Sequence, residues 1–351
     1  MRILHVIQEL GVGGAERILA STYRGARAAG HDVFVVGAPG PLADELGIEP
    51  YPLPLVRRHP SRIPAAAYAV RKAVRDSRAD LIHAYNPTMG LAAGLVTARG
   101  RRPPGLVNLQ GGSEDDWPRA VRLVRLSGLA PVACGPGVAE ALERHGTHPL
   151  ATVPNAVGPA PPPADRSQLD AEWGLDSKTR LVLAVGRLAE QKNHELAIRA
   201  LADVPGAKLA IAGDGPRRPE LERVAAEAGV AGRVVFAGVR PDARALMGAA
   251  DAVVLPSHWE GLPLAALEAL TSGTPLVATS VRGLRELLHD GENALLVPPD
   301  DPKALASALR RVLDDPALAG RLSEAGLRVP GAGSEDEMVS AFLALYAKLV
   351  A

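Results

Sequence analysis

Ala252-Val253-Val254-Leu255-Pro256-Ser257-His258-Trp259-Glu260-Gly261-Leu262-Pro263-Leu264-Ala265-Ala266-Leu267-Glu268-Ala269-Leu270 reads as a buried strand, a turn and the opening of a helix. The first four residues are a short apolar run of strand type. Pro263 fits the first helical turn, where a missing N–H costs nothing. The free N–H groups of such a terminus, with the helix dipole, favour anions such as phosphate. Glu260 lies just before the helix, and Glu268 lies in its second turn as the helix's only charged residue. At i, i+4 from Leu264, Glu268 falls on what should be the apolar face. A carboxylate buried there needs a partner; a solvent-facing glutamate is the alternative.

The same strand–turn–helix grammar runs along the chain. In the second half, strands are expected at 181–185, 208–212, 234–237, 253–255, 276–278 and 295–297, with helical patterns between them. In the first half they are expected at 2–8, 32–37, 81–84, 106–109, 131–134 and 151–153. First-half helices are expected from the turn at Gly11 to about Ala29, then over 63–78, 88–98 and 138–145, with residues 38–61 irregular and Pro-rich. This alternation implies βαβ units and parallel sheets. Pro154-Asn155-Ala156-Val157 and Pro159-Ala160-Pro161-Pro162-Pro163 interrupt it as a stiff, extended linker. The expected architecture is therefore α/β, with two doubly wound, Rossmann-like domains at 1–157 and 158–334 facing a deep cleft. A final segment, 335–351, carries an amphipathic helix after the breaker Pro330-Gly331-Ala332-Gly333. Ligands of such sheets bind beyond the carboxyl ends of the strands.

Composition agrees with two domains: 351 residues is long for a single core. No apolar run reaches the roughly 18 residues of a membrane span. Met1-Arg2-Ile3-Leu4 enters a strand directly, without a signal peptide, and the single Cys134 fits a reducing compartment, so a cytoplasmic protein is expected. Lys+Arg and Asp+Glu balance at 39 each, which argues against nucleic acid as a partner. The balance is uneven along the chain. Residues 1–157 carry 18 basic and 13 acidic side chains, against 21 and 26 in the remainder. Lysine is scarce, with six against 33 arginines, a skew that suggests a GC-rich genome.

Four strand-end segments in the second half share a chemistry. Gly186-Arg187-Leu188-Ala189-Glu190-Gln191-Lys192-Asn193 sets two cations five residues apart at a turn, suited to a diphosphate. Gly213-Asp214-Gly215-Pro216 allows a tight turn and close backbone approach. Gly238-Val239-Arg240 offers backbone groups that could read a base edge. The Glu260-to-Glu268 stretch is the fourth. Each alone also reads as an ordinary turn; together they end strands of one sheet.

In the first half, Gly11-Val12-Gly13-Gly14 lacks the acidic residue at the end of a following strand that a dinucleotide site expects, which argues against NAD. Glu114-Asp115-Asp116 has no metal-ligand spacing and reads as a polar surface loop. His5 and His83, in apolar strands, read as hydrogen-bonded core histidines. Arg57, Arg58, Arg62, Arg71, Lys72, Arg75 and Arg78 form a basic stretch. It reads as a solvated face, with weak contact to anionic lipid at the inner membrane surface as the alternative.

The ordered set resembles the retaining, nucleotide-sugar-dependent glycosyltransferases of family 4, which have the GT-B fold. Glu260-x7-Glu268 within Glu-Gly-Leu-Pro-Leu-x-x-Leu-Glu-Ala carries most of the resemblance. Gly186-Arg187-x4-Lys192-Asn193, Gly213-Asp214-Gly215-Pro216, Pro154-Asn155-Ala156-Val157 and Gly13-Gly14-Ala15-Glu16 support it in order. The resemblance implies that the second domain binds the donor nucleotide. Arg187 and Lys192 would hold the diphosphate with the helix terminus after Gly261, Leu262, Pro263 and Leu264. Glu268 would bind the ribose and Glu260 the transferred sugar. Val239 would meet the base, and Gly186, Gly213, Asp214 and Gly215 would shape the pocket. Gly13 and Gly14 would let the first domain approach the sugar, and the last helix would cross back to that domain. No metal or other cofactor is implied, in keeping with the absence of an Asp-x-Asp site.

The expected partners are a nucleotide-sugar donor, UDP ahead of GDP, and a hydroxyl-bearing acceptor: a glycan, a lipid-linked sugar or a small natural product. The chain departs from many relatives where they have a histidine near the donor sugar. Here Asn108-Leu109-Gln110-Gly111 places Gln110, which can hydrogen-bond but not titrate. Gln110 makes a non-catalytic sugar-nucleotide binder one alternative; a GT-B-fold sugar-nucleotide epimerase is another, but the further acidic and basic side chains such enzymes use at the sugar are not found here.

Overall fold

The computed structural model describes residues 1–56, 60–95, 103–176, 178–332 and 334–351. They form two compact units, Met1–Asn155 with Glu335–Ala351, and Ala156–Ser334. The boundary falls between Asn155 and Ala156, two residues before the one expected after Val157. Val157 already belongs to the second unit, where its N–H donates to the Gly331 carbonyl at 3.0 Å.

The first unit runs β1 (Arg2–Glu9), α1 (Gly14–Ala28), β2 (Asp32–Ala38), α2 (Pro41–Leu46), β3 (Tyr51–Pro52), α3 (Ile63–Ser77), β4 (Leu81–Ala84), α4 (Pro87–Gly94), β5 (Gly105–Leu109), α5 (Trp117–Ser127), β6 (Ala130–Ala133), α6 (Pro136–Arg144) and β7 (Ala151–Thr152). Its strands pair in parallel in the order β3-β2-β1-β4-β5-β6-β7. Covered on both faces, the central strands are buried along nearly their whole length, as in β4 and β5.

Three elements, α2, β3 and α5, depart from the sequence reading. Residues 38–61 are not wholly irregular. Pro41 opens α2 at its first turn and Gly47, at φ 61°, closes it, so the punctuation that suggests a loop also caps a short helix. The helix α5 was not expected. Its buried Trp117, Val121 and Val124 follow the helical period, but three arginines and the acidic turn before them mask it. Part of the expected helix over 88–98 and residues 57–59 of the basic stretch lie outside the described residues.

The second unit runs α7 (Arg166–Trp173), β8 (Arg180–Val185), α8 (His194–Leu201), β9 (Ala207–Ala212), α9 (Arg218–Glu227), β10 (Val234–Gly238), α10 (Ala243–Ala249), β11 (Ala252–Leu255), α11 (Leu264–Thr271), β12 (Leu276–Thr279), α12 (Arg282–Arg285), β13 (Leu295–Val297), α13 (Pro302–Asp314) and α14 (Pro316–Gly326). The sheet is parallel, ordered β10-β9-β8-β11-β12-β13. Alternate strand residues divide between its faces. Val182, Ala184, Leu209, Ile211, Val254 and Val277 pack with Leu196, Ile198, Leu305 and Leu309 of α8 and α13 in one core. Chain order reverses between β8 and β11, and their register pairs Val254 with Ala184. Their carboxyl ends are therefore level and adjacent.

The last helix, α15 (Glu335–Val350), belongs to the first unit. Glu335 accepts a hydrogen bond from Ser21 of α1. The Tyr346 hydroxyl lies 2.6 Å from His83 Nδ1, and the Phe342 ring is 5.1 Å from the His83 ring. His5 Nδ1 in turn meets the Tyr85 hydroxyl at 2.7 Å, which meets Thr22 Oγ1 at 2.6 Å. Burial pushes the pKa of His5 down to about 3 and that of His83 well below the usual imidazole range. Both rings are therefore neutral core groups.

Candidate functional site

The strand order sets the four glycine-bearing segments side by side, at the ends of β10, β9, β8 and β11. Backbone hydrogen bonds tie the ends together. Gly186 N–H donates to Ala212 O at 3.0 Å, Leu188 N–H to Asp214 O at 3.0 Å, and Gly213 N–H to Gly238 O at 2.7 Å. Gly213 sits at φ 159°, and a Cβ there would lie 2.0 Å from the Gly186 carbonyl oxygen. The glycine is required by the contact between the two loops. Asp214 is exposed and accepts from the N–H of Gly215 at 2.8 Å. Below the first loop, His194 is buried and its Nε2 lies 3.1 Å from Gly186 O, so Nε2 carries the proton and donates. Burial holds its pKa down at about 4, keeping the ring neutral.

The turn Glu190–Lys192 and the stretch from Ser257 to Glu260 are laced to each other. Lys192 Nζ lies 2.6 Å from Glu260 Oε1, and Ser257 Oγ donates to the same oxygen at 2.6 Å. Gln191 Nε2 donates to Glu260 Oε2 at 3.3 Å and to Trp259 O at 3.2 Å. Glu260 is thus an ionised carboxylate with donors on both oxygens, as a nearly buried charge must be. Arg187, by contrast, is exposed. Behind this stretch, a Cβ on Gly283 of α12 would lie 1.8 Å from Gly261 O and 2.5 Å from Glu260 O. Only a glycine lets α12 back the Glu260-Gly261 peptide this closely.

Pro263 is not in the first turn of α11. Its φ of −73° suits a helix, but its ψ of 123° is extended, so it is the cap and the helix begins at Leu264. Leu262, Pro263 and Leu264 are buried. The Glu268 side chain is 13% exposed, so it does not face solvent, and its Oε1 lies 4.0 Å from Arg244 Nε. The same guanidinium donates to Gly158 O at 2.7 Å and Pro159 O at 3.0 Å, which ties α10 to the segment leading into the unit. Val239 is 52% exposed, while Arg240 beside it is fixed by Glu172 and Asp242, each at 2.8 Å. Those contacts, Asp242 first, raise the arginine's pKa further above its usual value.

The remaining expected residues lie in the first unit. Gly13 caps α1 with φ −177°, a backbone any residue adopts. A Cβ there would meet chiefly the carboxylate end of Glu16, which can move, so the unit's own packing does not demand glycine. Gly14 is the first residue of α1. Gln110 Oε1 accepts from Asn155 Nδ2 at 2.8 Å, and its Nε2 is buried with no protein partner. Asn155, read from the sequence as part of a linker, therefore orients Gln110. Glu114-Asp115-Asp116 forms a surface turn in which Asp116 accepts from the Ser113 N–H and hydroxyl. Arg62, Arg71, Lys72, Arg75 and Arg78 are exposed along and beside α3. Among the described residues no group of three His, Cys, Asp or Glu could hold a metal ion. No described helix is long and apolar enough to cross a membrane.

Sequence reasoning passed over Gln191, Ser257, Arg244 and Gly283. Gly283, inside a helical pattern, was the one with a signal, since glycine there costs stability unless packing needs it.

Residues 12–160 match the family described as Glycosyltransferase Family 4, and residues 165–329 match the one described as Glycosyl transferases group 1. The chain belongs to glycosyltransferase family 4. This family 4 chain is 34% identical over 215 residues to the lipopolysaccharide core biosynthesis glycosyltransferase LpsE of Rhizobium meliloti, 60% of this chain and 62% of that one. It is 37% identical over 175 residues to the alpha-D-kanosaminyltransferase of Streptomyces kanamyceticus, 48% of this chain and 45% of that one. It thus spans about half to three-fifths of these curated relatives. Among solved structures, Anabaena HepE in complex with UDP and glucose superimposes with a TM-score of 0.87 at 23% identity, over 99% of this chain and 100% of that one. Both sheets are those of the GT-B fold.

Proposed function

We propose that the protein transfers a sugar from a nucleoside diphosphate sugar, with UDP as the carrier, to a hydroxyl of a glycan, lipid-linked or small natural-product acceptor, retaining the anomeric configuration. The observation that carries this reading is the ion pair of Lys192 and Glu260 beside the exposed Arg187, at the point where strand order reverses. The bond between the anomeric carbon and the diphosphate oxygen breaks and its electron pair leaves with the diphosphate, while the acceptor oxygen bonds to the anomeric carbon and its hydroxyl proton passes to the departing phosphate oxygen. Arg187, Lys192 and the N-terminus of α11 meet the charge that develops. Glu260 contacts hydroxyls of the transferred sugar and steadies Lys192. Glu268 binds the ribose, and the backbone around Val239 reads the base. Gly13, Gly14 and Gln110 are the further sugar contacts that the family resemblance implies. The chemistry needs no metal, because side-chain cations neutralise the leaving group.

UDP is preferred over GDP because HepE, which has the same fold, holds UDP or UDP-glucose in its structures. The exposed basic face of α3 suits an acceptor presented at an anionic membrane surface. The test is incubation with UDP- and GDP-sugars and measurement of nucleotide release. Turnover of a UDP-sugar supports the reading, and a folded protein that binds none of these donors contradicts it. Gln110, in place of the histidine of many relatives, favours a second reading, a sugar-nucleotide binder without transferase activity. Donor binding with neither transfer nor hydrolysis would select it.

A further inference from the structure

His258 lies in the stretch that carries Glu260 and contacts the turn that carries Lys192, and neither the family resemblance nor the proposed reaction gives it a role. Its backbone N–H donates to Gln191 O at 2.8 Å. Its ring Nδ1 is 3.0 Å from Glu190 O, and its Nε2 is 3.0 Å from Asp300 Oδ1. Asp300 Oδ1 also accepts from Asn193 Nδ2 at 3.3 Å. Asn193 and Asp300 both have left-handed backbones, with φ 44° and 60°. The turn that aims Lys192 is thus held on one side by Glu260 and on the other by His258 and Asp300.

The two partners of the ring decide its chemistry. A backbone carbonyl and a carboxylate only accept hydrogen bonds. Both contacts are hydrogen bonds only when Nδ1 and Nε2 each carry a proton, that is, when the ring is an imidazolium. The neutral ring keeps one and turns a lone pair toward the oxygen of the other. His258 forms part of the wall of a cavity of about 580 Å³ that also includes Glu190, Glu195, Arg199, Arg217, Glu220 and Asp300. Arg199 pairs with Glu195 at 2.8 Å, and Arg217 pairs with Glu195 at 3.2 Å and with Glu220 at 2.5 Å. Asp300 is thus the carboxylate within hydrogen-bonding distance of the ring, and the wall carries four acidic side chains against two arginines. Lys192 and Glu260, two residues or fewer along the chain from these contacts, already satisfy each other.

The geometry points to His258 as a positioning residue that holds the Lys192 turn in its diphosphate-binding form when its ring is doubly protonated, and so makes donor affinity fall as pH rises. This rests on the donor reading above. In the protonated state the Glu190 carbonyl and Asp300 are both anchored. When the ring gives up one of its two N–H protons, one anchor is lost and the turn loosens. The effect on affinity is that of about one hydrogen bond, a few-fold and at most about tenfold.

The experiment is calorimetric binding of a UDP-sugar to the full chain between pH 6 and 8.5, where the diphosphate diester keeps its charge. Wild type should weaken a few-fold across the range. Asp300→Asn should stay flat and bind more tightly than wild type at pH 8.5, because an amide can donate to the neutral ring. His258→Gln should also be flat. The same slope in wild type and both variants would overturn the inference and leave the donor reading intact. No binding at any pH would overturn the donor reading, and the inference with it.

Discussion

Lys192 Nζ and Glu260 Oε1 are 2.6 Å apart, in a turn where the lysine side chain is 19% and the glutamate 6% exposed. The family resemblance assigns them to different parts of a donor, a diphosphate and a sugar. The structure puts them on each other. The roles are compatible, because an ammonium has three donors and Glu260 takes one. The pair fixes the cation in a turn that would otherwise leave a long, flexible side chain to be ordered at each binding event.

Removing the cation should therefore do two things at once. Lys192→Ala should lower turnover by about 10²–10³, as loss of a preorganised charge partner does. It should also cost about 1–3 kcal/mol of stability, because Glu260 is left charged and mostly buried with only neutral donors. Glu260→Gln keeps an acceptor for Ser257 and Lys192 and should melt closer to wild type. Thermal unfolding and steady-state kinetics of both variants check this; a Lys192→Ala protein with normal turnover would refute the assigned role.

Gly283 predicts a second, less obvious lesion. Alanine there drives a methyl group into the carbonyls of Gly261 and Glu260. Overpacking of this kind costs about 1–3 kcal/mol. The strain falls on the Glu260 stretch, so donor KM should rise with the fall in stability. Gly320, whose Cβ would meet nothing, is the control: Gly320→Ala should leave KM unchanged.

Buried neutral histidines set the acid limit of stability. Burial lowers the folded-state pKa values of His5, to about 3, and of His194, to about 4, and puts His83 well below the usual range. The unfolded chain binds these protons near pH 6.5, so below that value it holds more protons than the folded chain. Stability is full above about pH 6.5 and falls as pH drops, by about 1.4 kcal/mol per pH unit for each such histidine, until the folded pKa is reached. Urea unfolding between pH 7 and 4.5 measures the slope. His5→Gln should make it shallower.

Chelation offers a separate check. With the leaving group met by Arg187 and Lys192, transfer should proceed unchanged in EDTA. Loss of turnover on chelation, restored by a divalent cation, would contradict that assignment.

Much of this was legible in the sequence because it rests on local rules. Apolar strand runs and strand-end glycines located every strand of the second unit and the loops that β8, β9, β10 and β11 bring together. What was not legible depends on contacts far apart in the chain. Nothing near Glu260 announces that Lys192 is its partner, or that Gly283 backs its peptide. Glu268 needed a partner by its helical position, but only the packing of α10 on α11 names Arg244. Asn155 sits in a Pro-rich boundary that reads as a linker, and its contact with Gln110 is invisible until β6, paired with β5 on one side and β7 on the other, brings the ends of those strands into one sheet. The first turn of α11 was misread because proline at a cap and proline at the next position have the same φ and differ only in ψ.

The most direct test is a crystal structure of the chain with a bound UDP-sugar. The account predicts diphosphate oxygens within about 3 Å of Lys192 Nζ and the Arg187 guanidinium, with the ribose hydroxyls on Glu268. A nucleotide bound elsewhere, with none of these side chains in contact, would contradict it.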